Sequence, residues 1–253
     1  MQTAIIPEGK VIEKVKFNFS ELSESIIAYE TLQCGFWKWI GRKIIQFSTL
    51  GRFEHIAGIF QATSQFDGEF WSSKYSRTSK VLIEQGKFFS YEATQAYGLN
   101  IMNFKDRIFR PSLDESKWGG YVYLLKFNER KIKDGAIDIM IEFLNKHNKE
   151  KKQYELLSAI ISQFPDKLAN YLHKKFKTKP RPQSFCSNLA ISCANILFDI
   201  GLTPEQCQLK TPQEAIDFLR NNDFIYDEEK LCRFDYKRGL IEYNPKYINV
   251  DYK

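Results

Sequence analysis

The sequence predicts an α+β protein in which helices pack on an antiparallel β-sheet. Three observations predict it. Short, β-prone apolar runs cluster between residues 53 and 127. Segments with apolar residues at helical spacing lie on both sides of that cluster. The chain has 253 residues, 43% of them hydrophobic, enough for a sizeable core.

Taken in order, Val11, Val15, Phe17 and Phe19 alternate and suggest an N-terminal strand after a Pro-Glu-Gly turn at 7–9. Ser20-Glu-Leu-Ser23 has the character of a helix cap and predicts a short helix over 21–32. Phe36, Ile40, Ile44 and Phe47 predict an amphipathic helix over 35–50. Phe53 to Phe60 is short and apolar and predicts a strand. Period two puts His55, Ala57 and Ile59 on one face and Ile56, Gly58 and Phe60 on the other. Residues 61–80 are polar, a long loop or a hairpin tip. Two further strands, Val81–Glu84 and Phe88–Ala93, are joined by Gln85-Gly86-Lys87. On the second, Ser90 and Glu92 share a face opposite Phe89 and Tyr91. Gly98 to Met102 is a fourth strand, and a polar loop containing Pro111 leads to a fifth, Tyr121–Phe127.

After Asn128 the spacing turns helical, over 134–147 and again over 150–176, with Pro165 breaking the second run. From Ser187 the residues Leu189, Ile191, Cys193, Ile196, Leu197 and Ile200 fit a mostly buried helix stopped by Gly201. Thr211-Pro-Gln-Glu214 opens a last helix through about Leu219. The tail, 224–250, adds an edge strand.

Composition narrows the function classes. Net charge is +6, from 37 basic and 31 acidic residues, a mild excess. The Lys clusters at 146–152 and 174–181 read first as solvated helix faces. No RNA-binding signature phrase is present, so the nucleic-acid signal is weak. The five cysteines (34, 186, 193, 207, 232) form no CxxC pair, so no zinc site or redox motif is expected. They suit reduced thiols in a cytosol. No signal peptide and no transmembrane run is visible, so a cytoplasmic location is expected.

One constellation carries chemistry. Cys186 stands where a Pro-containing loop runs into a helix, and unpaired N–H groups there favour thiolate. His55 and Glu92 lie on strands of one sheet. If the helix packs on that sheet, the three form the set a thiol hydrolase needs: nucleophile, general base and orienting carboxylate. The other two histidines, His147 and His173, lie in Lys-rich helical stretches.

At these residues the sequence resembles the circularly permuted, NlpC-type branch of the papain-like cysteine hydrolases (YiiX-like, and related to the lecithin:retinol acyltransferases). Phe47 to Ile59 matches the phrase around the family's His. Tyr91-Glu92-Ala93 followed by Gly98-Leu-Asn matches its acidic strand, and Phe185-Cys186-Ser187-Asn188-Leu189 matches its Cys phrase. The order His, Glu, Cys reverses the usual papain-like order, as permutation requires. The resemblance covers roughly residues 36–220. It implies a single permuted papain-like domain over 1–253, with a helical insertion at about 134–176 and a C-terminal extension at about 221–253.

It also implies Cys186 as nucleophile, His55 as base, Glu92 as orienter and no metal or other cofactor. Gln183 is an oxyanion candidate by the same likeness. Substrates in the family are peptides, peptidoglycan fragments or lipid acyl groups, cleaved at amide or ester bonds. A cell-wall substrate without a signal peptide would fit a phage- or virus-encoded protein. Two departures stand out: Asn188 replaces the family's Glu, and the strand that often precedes the first helix is not evident. Both bear on a competing reading, an inactive member acting as a structural or interaction protein. A binder of nucleic acid or lipid surfaces through the Lys clusters ranks third.

Overall fold

The computed structural model describes residues 1–5, 15–33, 52–72, 77–94, 98–109, 119–149, 161, 166–177, 186–207, 211–235 and 240–250. In chain order the elements are β1 (Gln2–Ile5), β2 (Val15–Phe17), β3 (Ser25–Gln33), β4 (His55–Gln61), β5 (Phe66–Ser72), β6 (Arg77–Ile83), β7 (Phe88–Thr94) and β8 (Gly98–Asn103). There follow α1 (Phe104–Phe109), β9 (Gly119–Phe127), α2 (Ala136–Lys149), α3 (Asp166–Phe176), α4 (Cys186–Phe198), α5 (Pro212–Asn221), β10 (Ile225–Asp235), β11 (Leu240–Tyr243) and β12 (Ile248–Val250).

The α+β class holds. Eight strands form one antiparallel sheet in the order β1-β11-β10-β9-β3-β4-β7-β8, and β2 with β12 and β5 with β6 form two small pairs. The predicted helix over 21–32 is a strand instead. Ile26, Ile27, Ala28 and Tyr29 are all buried, so this segment has no wet face for a surface helix to present. As β3 it lies mid-sheet, hydrogen-bonded to β4 on one side and β9 on the other. A strand covered on both faces and both edges satisfies every backbone group of that apolar run. Burying its two Ile side chains contributes roughly 1.5–3 kcal/mol each.

Other expectations shift. Strands are not confined to 53–127, since β1 and β10–β12 join from the two ends of the sequence. The tail strand β10 is interior, between β9 and β11, rather than at an edge. Residues 61–80 hold a hairpin, β5–β6, so β6 pairs with β5 and not with β7. The turn at Gly86 (φ +78°) therefore carries the chain from one sheet to the other. The polar stretch after β8 opens with α1, whose first turn is capped by Asn103: its Oδ1 accepts the Lys105 N–H at 3.0 Å. The predicted helix over 35–50, most of 150–165 and Cys34 lie outside the described residues.

The two faces of the sheet are covered differently. On one, Ile56, Phe60, Phe89, Tyr91 and Leu125 pack with α2, α4 and α5. On the other, Ala57, Ile59, Phe88 and Leu124 pack with Phe104 and Ile108 of α1 and with Phe17 and Ile248 of the β2–β12 pair. The alternation expected along β4 is therefore the one observed. Helix α5 begins as its sequence indicates: Thr211 Oγ1 accepts the Glu214 N–H at 3.0 Å. Its Gln213 Oε1 accepts the Arg52 N–H at 3.0 Å, which ties the start of α5 to the approach into β4. No helix among the described residues is long and apolar enough to cross a membrane.

Candidate functional site

Three elements bring Cys186, His55 and Glu92 together. His55 opens β4, Glu92 lies on neighbouring β7, and Cys186 is the first residue of α4, which packs on both strands. Only a residue at the very start of β4 allows a helix on one face to meet a side chain from the other. His55 shares its face with Ala57 and Ile59, while α4 covers the face of Ile56 and Tyr91. The thiol and the imidazole meet at the end of the strand.

His55 Nε2 lies 2.8 Å from Glu92 Oε2, and Glu92 is only 4% exposed. With Nε2 so engaged, Nδ1 is the nitrogen left to face the Cys186 sulfur, with which the ring hydrogen-bonds. The tautomer is thus set by the carboxylate. Tyr29, the ladder partner of His55, stands with its ring 5.5 Å away and closes the other side.

The electrostatics follow from these contacts. Burial alone would push the Cys186 thiol up. The adjacent His55 ring and the N–H groups of Ile56 and Ser187 outweigh it and hold the thiol below its ordinary value. Burial also works against the His55 cation, but Cys186 first and Glu92 second carry its pKa up to about 10. Burial would raise Glu92, yet the Arg107 guanidinium and then His55 bring it down to about 2. The favoured state is a thiolate–imidazolium pair steadied by a carboxylate.

The other described thiols differ. Cys193, Cys207 and Cys232 are buried, and burial pushes each of them up. His173 is buried on α3, which carries no residue of this site. Gln183 lies outside the described residues. Asn188, two residues beyond the thiol, is 7% exposed, and its Oδ1 has no hydrogen-bond partner. No group of three His, Cys, Asp or Glu among the described residues is arranged to hold a metal ion.

Sequence reasoning overlooked Arg107. Its Nε lies 2.7 Å from Glu92 Oε1. The sequence signal was slight: Phe104 and Ile108 are one helical turn apart, a single pair that fits the short helix α1 but does not mark it out. A cavity of about 390 Å³, lined in part by Glu24, Thr63, Lys133 and Asp138, lies toward the far end of β4 from His55. No family model, curated protein or solved structure matches the chain.

Proposed function

We propose that this chain is a cysteine hydrolase of the circularly permuted, NlpC-type papain-like class, an amidase, peptidase or acyltransferase. The observation that carries the proposal is the hydrogen-bonded chain Cys186–His55–Glu92, drawn from three elements far apart in sequence, with the thiol lowered and the imidazole raised. Structural cysteines in cores do not have such partners, and the other described thiols of this chain are raised.

In this scheme the Cys186 thiolate attacks the carbonyl carbon of an amide or ester, forming a C–S bond and an oxyanion. Backbone N–H groups at the start of α4 stabilise that oxyanion. As the intermediate collapses, the C–N or C–O bond breaks and the His55 imidazolium protonates the leaving group. The neutral ring then takes a proton from water, whose oxygen attacks the thioester, and the thiolate departs. In acyl transfer another nucleophile replaces the water. Glu92 keeps Nδ1 aimed at sulfur and stabilises the imidazolium throughout. Peptides, peptidoglycan fragments and lipid acyl chains are the substrate classes to screen.

A second reading is an inactive member serving a structural or interaction role. The 6% exposure of Cys186 and Asn188 in place of the family's Glu favour it. Iodoacetamide alkylation followed by mass spectrometry across pH separates the two. The enzyme reading expects Cys186 to react ahead of Cys34, Cys193, Cys207 and Cys232, with an apparent pKa well below the free-thiol value of about 8.5. It also expects Cys186→Ser to abolish thioester formation with an activated acyl probe. A Cys186 that is inert, or that titrates as an ordinary thiol, leaves the inactive reading standing.

A further inference from the structure

Arg107 has no part in the three-residue scheme, yet it is the cation at the centre of the site's charge balance. Glu92 divides its two oxygens: Oε2 meets His55 Nε2 at 2.8 Å and Oε1 meets Arg107 Nε at 2.7 Å. The Arg107 side chain is 12% exposed, so the pair is shielded from bulk solvent. Its guanidinium also lies over the Tyr29 ring, 5.0 Å from the centroid. Helix α1 holds it there through the Asn103 cap and the buried Phe104 and Ile108.

We infer that Arg107 is a positioning residue for the thiol chemistry: it clamps Glu92 through Oε1 so that Oε2 fixes the His55 ring with Nδ1 facing Cys186. The inference rests on the reading of Cys186 as nucleophile. Its physical content is twofold. A buried carboxylate with only one partner can rotate away or take up a proton. A guanidinium, charged at every accessible pH, prevents both. The second point is the charge count. Among the described residues, the titratable groups in contact with Glu92 or the His55 ring include Arg107 from α1, Tyr29 from β3 and Cys186 from α4, and Glu54, next to His55 in the chain, is a further buried carboxylate. The four groups thiolate, imidazolium, carboxylate and guanidinium sum to zero. Without Arg107 the remaining three carry one net negative charge. That charge opposes the thiolate, favours protonation of Glu92 and strengthens the hold on the imidazolium proton. All three effects move the working window to higher pH.

The test measures Cys186 alkylation by iodoacetamide against pH in the full chain, for wild type, Arg107→Met, Arg107→Gln and Arg107→Lys, with circular dichroism melts to establish folding. Either neutral variant, once folded, is expected to show a profile moved upward by about one pH unit. Arg107→Lys, which keeps the charge, is expected to restore most of the wild-type profile. A folded neutral variant whose profile superimposes on wild type overturns the inference while leaving the triad intact. An ordinary thiol titration in wild type itself overturns the triad, and the inference with it.

Discussion

Cys186 and Cys193 stand two turns apart on α4, about 10 Å along the axis. Both are buried, at 6% and 0% exposure. Their thiols are driven in opposite directions. Cys193 lies beneath the sheet beside Tyr91, where burial pushes it up. Cys186 feels the same penalty, but His55 and the N–H groups of Ile56 and Ser187 outweigh it. Residue type, helix and burial are shared, so none of them sets the direction in which a thiol is driven. What differs is position: one cysteine is at the helix start against a strand end, where an imidazole and backbone N–H groups reach its sulfur, and the other is further along the helix, with no cation beside it among the described residues.

The sharpest way to break this contrast is to remove the imidazole. In His55→Ala, Cys186 loses its principal lowering partner and should titrate at or above the free-thiol value of about 8.5. Its alkylation rate at pH 6 then falls about 100-fold or more relative to a thiol that is ionised there. Cys193 should be unaffected. Rates for the two cysteines, resolved by peptide mass spectrometry, check both halves. If the two thiols of wild type already react alike, the contrast is void.

Glu92→Gln tests the carboxylate more gently. In the folded protein Glu92 is held at about 2, below its ordinary 4.5. A lowered carboxylate contributes stability that is present above pH 4.5 and is lost as pH falls toward 2. Urea midpoints of wild type should therefore drop more steeply across that window than those of Glu92→Gln. Parallel curves would mean that the carboxylate gains nothing from Arg107 and His55.

The smallest effect on Cys186 is expected from Gly58→Ala. Gly58 is the ladder partner of Tyr91, and a Cβ there would stand 1.9 Å from the Tyr91 ring carbon Cζ. The ring, which abuts Cys193, must move. Overpacking of this kind costs about 1–3 kcal/mol, readable as a lower denaturant midpoint. The Cys186 profile should stay within experimental error of wild type, because the strained contact lies on the helix-packed face and not at the strand end. A profile that moves with the packing would show the two regions to be coupled.

Much of this was legible one element at a time. Short, β-prone apolar runs placed β4, β7, β8 and β9, and period two gave the faces of His55 and Glu92. Thr211-Pro marked α5, and the apolar run beyond Cys186 marked α4. The failures have separate causes. The run Ile26-Ile27-Ala28-Tyr29 lacks period two because its strand is covered on both faces, and the Ser-rich segment before it imitates a helix cap. β10 alternates poorly because it carries two register shifts against β9. α1 is six residues long, too short for its periodicity to stand out from a polar stretch.

By itself the sequence determined the chemistry available to this protein: one cysteine at a helix start, one histidine and one glutamate on strands, and the α+β class. Local rules govern those outcomes, because period, caps and proline act over a few residues. Only the tertiary structure decided that β3 enters mid-sheet between β4 and β9, that α4 abuts the end of β4 so that Cys186 meets His55, and that Arg107 completes the carboxylate's shell. Those are pairings across 15 to 131 positions of chain. They depend on which buried faces and charges find one another in space, and no spacing along the sequence encodes that.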